Sequence, residues 1–165
     1  MLDGLCRRWT KSWGLAALVG FLLALVVHIA TVCGVDVSDT VPYVWALHVG
    51  IFLAFAPMVV SASRRGINAG EILGGLPVWA IVLEGAVFAY LFVNAGLCLR
   101  VTQGGNAFMI GGQYILASHG HVLAHLTEAQ YHLQRAYQVR LFSGFWLPFY
   151  LAPALYFLGV GTRDD

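Results

Sequence analysis

The chain has 165 residues, 59% of them hydrophobic and 10% charged. Soluble domains carry roughly 45–50% apolar and about 25% charged residues, so this composition excludes an ordinary water-soluble domain and indicates an integral membrane protein. The formal net charge is +1, and the nine Lys and Arg are scattered in ones and twos, which leaves no basic patch for nucleic acid. The mean hydropathy of +0.77 agrees, and the length suits four spans of roughly 20 residues with one small extramembrane unit.

The first apolar run, 13–33, follows a positive flank (Arg7, Arg8, Lys11) and is uncharged for 21 residues. It is too long for a signal-peptide core and no A-x-A site follows, so it reads as an uncleaved first span. Ala16, Gly20 and Ala24 form a small-residue ridge on it that lets another helix approach closely. Span 2 is expected over 41–62, with Pro42 in its first turn, Tyr43 and Trp45 as interfacial aromatics and Pro57 as a kink. The 63–76 segment reads as a loop carrying Arg64 and Arg65. Span 3 is expected over 77–99. Span 4 is expected over 142–160, kinked by Pro148 and Pro153.

Loop charges set the expected topology. With the N-terminus inside, inner segments carry Arg7, Arg8, Lys11, Arg64, Arg65 and Arg163, and outer segments carry Arg100, Arg135 and Arg140. The bias places both termini in the cytoplasm and 104–146 on the outer face. No C-x-x-C occurs among Cys6, Cys33 and Cys98. Cys33 and Cys98 are expected at the outer ends of spans, as buried free thiols rather than a disulfide.

Three short apolar runs, 106–110, 113–118 and 121–126, are separated by Gly111-Gly112 and His119-Gly120. Runs of this length joined by two-residue turns predict a three-stranded antiparallel meander within 104–126. The expected register pairs Met109 with Tyr114, Leu116 with Leu123, and Tyr114 with His125. Thr127-Glu128-Ala129-Gln130 fits a capping box, so a helix is expected over 127–141, continuing into span 4.

Three groups of residues are candidates for chemistry. His28 and His48 lie about 9–10 Å from the outer ends of adjacent spans, where two imidazoles could ligate a b-type haem or a transition metal; a structural role for each is the competing reading. His119, His121, His125 and His132 could hold zinc or copper. However, His121 and His125 on one strand are about 13 Å apart, which favours turn and surface roles over one ion. Glu84, with Asn94 further along span 3, is a candidate step in an ion or proton path, since a carboxylate within a span must pair, protonate or face water. Gly104-Gly105 and Gly111-Gly112 lack the residues of a phosphate loop. No order of Ser, His and Asp suggests a hydrolase, which leans the reading away from an enzyme.

Gly112, Tyr114, Leu116, His119 and Gly120, then Leu126, Thr127 and Glu128, then Ser143, Gly144 and Trp146 resemble a motif of small, uncharacterised bacterial four-span proteins. In those proteins a Gly-x-Tyr-x-Leu-x-x-His-Gly turn precedes a Leu-Thr-Glu helix and a Ser-Gly-x-Trp start to the last span. The position before Trp146 is often His in that group and is Phe145 here, which weakens a metal role there. The resemblance implies a bacterial membrane protein and brings no activity with it. The expected architecture is an all-α membrane protein of four transmembrane helices, with a small extracytoplasmic β-meander between spans 3 and 4. The expected role is a non-catalytic accessory component that packs in the bilayer against a membrane protein partner or a second copy. The alternatives are a haem- or metal-binding protein using His28 and His48, and a small transporter or channel using Glu84.

Overall fold

The structure is a computed structural model; it describes residues 2–160, with side chains over 9–159. The side chains of Cys6, Arg7 and Arg8, and the tail with Arg163, lie outside the described residues. The elements run α1 (Leu2–Val32), α2 (Val37–Thr40), α3 (Ala46–Arg65), α4 (Ala69–Gly75), α5 (Val78–Thr102), β1 (Asn106–Ile110), β2 (Gln113–Ser118), β3 (His121–Leu126) and α6 (Glu128–Leu155), which ends in a π-helical turn at Tyr156–Val160. Among the described residues, four helices are long and apolar enough to cross a membrane: Trp9–Val32, Ala46–Arg65, Val78–Thr102 and Glu128–Gly159.

Two boundaries differ from expectation for local reasons. The second long helix starts at Ala46, not 41. Val41 is extended (φ −113°, ψ 100°), because the Pro42 ring disfavours helical backbone in the residue before it. Tyr43 follows at φ 59°, so 41–45 is a turn. The 63–76 segment contains α4, opened by a capping box in which Asn68 Oδ1 accepts from the Glu71 amide at 3.0 Å and Glu71 Oε2 accepts from the Asn68 amide at 2.9 Å.

The chain forms two compact units, 1–24 with 45–89 and 146–165, and 25–44 with 90–145. In the first, α6 packs against the small residues of α1 and α3. A Cβ at Gly20 or at Gly50 would strike the Tyr150 side chain, so both glycines are needed for that approach. The Tyr150 hydroxyl donates to Leu47 O at 2.8 Å. The ridge expected at Ala16, Gly20 and Ala24 is shifted: Ala16 is exposed, and Ala17, at 1% exposure, takes its place. Tyr156 and Phe157 are buried with Ala62, beside Trp13 and Leu76.

The second unit contains the sheet, of order β1-β2-β3 and antiparallel throughout. Both expected two-residue turns form, with Gly111 (φ 58°) and Gly112 (φ 78°) in one and His119 (φ 50°) and Gly120 (φ 84°) in the other. Met109 pairs with Tyr114 as expected. The β2–β3 register does not follow expectation. An irregularity at Leu116/Ala117 pairs Leu116 with Ala124 and Tyr114 with Leu126. Leu123 is the extra residue of this bulge, which shifts every pair beyond it by one. The sheet meets α6 where the Tyr114 and Tyr131 rings stack, 4.7 Å between centroids. The Thr127 box forms, with Thr127 Oγ1 accepting from the Gln130 amide at 3.3 Å and Gln130 Oε1 from the Thr127 amide at 2.9 Å.

Candidate functional site

The second unit holds a buried polar cluster built from α1, α5 and α6. His28 is 4% exposed, Asn94 1% and Ser143 0%. His28 Nδ1 lies 2.8 Å from Ser143 Oγ, and Nε2 lies 2.7 Å from Tyr90 Oη. The Ser143 hydroxyl donates to Arg140 O at 3.2 Å. Its single proton is then used, so His28 Nδ1–H donates to Ser143 Oγ and the Tyr90 hydroxyl donates to Nε2. The chain of bonds ends on a backbone carbonyl. A proton entering at Tyr90 has no acceptor to pass to beyond Ser143.

Asn94 joins the same cluster. Its Nδ2 donates to Arg140 O at 3.1 Å, and its Oδ1 accepts from Arg140 Nε at 2.8 Å and from Cys98 Sγ at 3.8 Å. Gly144 makes this contact possible, since a Cβ there would strike Asn94 Nδ2. Arg140 Cζ sits 5.6 Å from the Tyr137 ring centroid, and Arg140 has no carboxylate partner among the described residues. Gln134 Oε1 and Gln138 Nε2 are buried without a partner among the described residues. Cys98 is a buried free thiol, as expected, whereas Cys33 is free and exposed.

A second cluster ties the 34–40 segment to α6. His132 Nδ1 lies 3.0 Å from Asp36 Oδ2 and 3.8 Å from Asp39 Oδ2. Arg135 makes a two-pronged pair with Asp39 at 2.7 and 3.0 Å, and its Nε lies 3.3 Å from Asp36 Oδ2. Asp36 also caps α2 through the Ser38 amide. Asp36, Asp39 and His132 form the one group of three potential ligands close enough to hold a metal among the described residues. The Arg135 guanidinium occupies the same carboxylates, so the group works as an ionic clasp.

Compared with family models, with curated proteins and with solved structures, the chain matches none.

The candidate ligands His28 and His48 fall in separate units, and each has its own partners. Haem or metal ligation by His28 requires release of either Ser143 or Tyr90. His48 Nδ1 accepts from Trp146 Nε1 at 3.1 Å, and its ring meets the Trp146 ring edge-on. His119 is bonded to Ser118 Oγ at 2.9 Å, while His121 and His125 are exposed on β3. These three do not gather into a ligand group. Glu84 Oε2 is buried and has no hydrogen-bond partner among the described residues. Asn94 belongs to the His28 cluster in the other unit. Tyr90, Arg140, Ser143, Asp36, Asp39 and Arg135 were not singled out from sequence as site residues. Their partners lie 46 to 115 positions away, and no local spacing signals such pairs.

Proposed function

We propose that this chain is a non-catalytic component of a bacterial inner membrane, multi-pass with both termini cytoplasmic, that assembles with a partner protein through its extracytoplasmic sheet. One observation carries the reading. The stretch 101–127 contains no Asp, Glu, Lys or Arg, yet Phe108, Met109, Ile110, Val122 and Leu123 are 42–62% exposed on it. Phe108, Ile110 and Val122 line an open hollow of about 360 Å³ with Ile115 and Ala117. β1 and β3 are free edges with no proline or charge to block pairing, and such edges are templates for an added strand. An exposed apolar patch of this kind marks an interaction surface. The polar cluster at His28 fits the same reading, since its groups are consumed in holding helices together.

The test places a photo-crosslinking residue at Phe108 or Ile110 in cells. Protein adducts of defined mass, lost with Ile110→Lys, are expected. A strict monomer whose only adducts are lipids overturns the proposal. The unpartnered Glu84 oxygen favours a second reading, a proton or ion path. Its test is flux in liposomes, where Glu84→Gln must abolish transport; unchanged flux removes it.

A further inference from the structure

The 20-residue apolar helix α3 ends in Arg64 and Arg65, one hydrocarbon thickness (about 30 Å) from its start. Trp9 and Thr10 open the apolar stretch of α1, Trp9–Val32. These two ends meet in a hollow of about 310 Å³, roughly ten waters in volume, lined by Trp9, Thr10, Trp13, Ser61, Arg64 and Arg65. Pro57, Val60 and Phe157 supply its apolar lining. Ser61 Oγ is bonded to Tyr156 Oη at 3.1 Å, which holds α3 to the π-helical turn. Arg64 is exposed and has no hydrogen-bond or ion-pair partner among the described residues.

We propose that this pocket binds an anionic glycerophospholipid, with the headgroup phosphate on Arg64 and Arg65 and an acyl chain over Pro57, Val60 and Phe157. Three features select this occupant. The guanidinium of Arg64 presents a planar fork to a phosphate, and Arg65, which has an interaction of its own, adds a second positive charge to the same lining. The indoles of Trp9 and Trp13 suit the depth where headgroup meets hydrocarbon. Val60 and Pro57 lie one and two turns before Arg64 within the apolar stretch of α3, and a free anion would leave these apolar groups uncovered. Cationic pockets at the ends of spans recognise lipid headgroups in this way. The inference rests on the membrane reading above and is independent of the sheet.

The experiment begins with the full chain reconstituted into phosphatidylcholine nanodiscs. Failure to enter them overturns the membrane reading, and this inference with it. Affinities for phosphatidylglycerol and phosphatidylcholine are then measured on detergent-purified chain by native mass spectrometry. Each arginine should contribute about fivefold, so phosphatidylglycerol should bind about 25-fold tighter. Arg64→Gln with Arg65→Gln should bring the ratio close to one. Val60→Trp, which bulks out the apolar lining and keeps both cations, should weaken phosphatidylglycerol as well. Equal affinity of the parent chain for the two lipids overturns the proposal. So does a preference that survives both variants, and so does displacement of the lipid by millimolar inorganic phosphate.

Discussion

Asn94→Ala is the most discriminating perturbation of the buried polar cluster. Asn94 is 1% exposed and holds Arg140 from both sides, accepting from its Nε at 2.8 Å and donating to its carbonyl at 3.1 Å. The first bond involves a charged group and is of a class that contributes about 1.5–3 kcal/mol. The second joins two neutral groups across helices, where measured values average about 0.6 kcal/mol. Together they predict a loss of about 2–4 kcal/mol, a fall in melting temperature of roughly 5–15 °C for a chain of this size. Thermal unfolding in mild detergent reads it. A cycle with Arg140→Ala should show coupling of at least about 1 kcal/mol. Asn94→Asp should lose less than Asn94→Ala, because it supplies the guanidinium with a counter-charge. An Asn94→Ala protein within about 0.5 kcal/mol of the parent would refute the claim that this cluster holds the helices.

Gly144→Ala should cost about 1–3 kcal/mol, since its Cβ would strike Asn94 Nδ2, which is held by its bonds to Arg140; the same unfolding assay checks it. Asp36→Asn should destabilise by about 1–3 kcal/mol through its loss of charge beside Arg135. Asp39→Asn, whose side chain is 53% exposed, should cost at most about 1 kcal/mol, an effect erased in about 1 M salt; unfolding at two salt concentrations separates them. Thr127→Ala removes an N-cap and should cost about 1 kcal/mol, read as faster amide exchange in the first turn of α6.

Where local physics decides structure, the sequence was legible. The four apolar runs predicted four membrane-length helices, because the length of an apolar run is read directly from consecutive residues. The three strands and both two-residue turns were read from Gly111-Gly112 and His119-Gly120, whose positive φ angles are a local demand. The Thr127 capping box was visible for the same reason. The Asn68 box was equally local, and reading 63–76 by its arginines alone missed α4. The register beyond Leu116 was not legible, since a bulge is settled by packing against the rest of the fold. The partners of His28 and Arg140 were not legible either. A histidine in an apolar helix looks the same from sequence whether it awaits an iron atom or is bonded to a serine 115 residues away.

The sequence by itself determined the four membrane-length apolar helices, the sheet and the caps, because apolar run length and backbone geometry act residue by residue. Only the tertiary structure decided what the polar residues do. It bound His28 to Ser143 and Tyr90, set Asn94 against Arg140 in the space Gly144 leaves, closed Asp36 and Asp39 on Arg135, and brought Arg64 to the pocket that holds Trp9. Each depends on distances between helices, which side-chain packing fixes and no sequence spacing records.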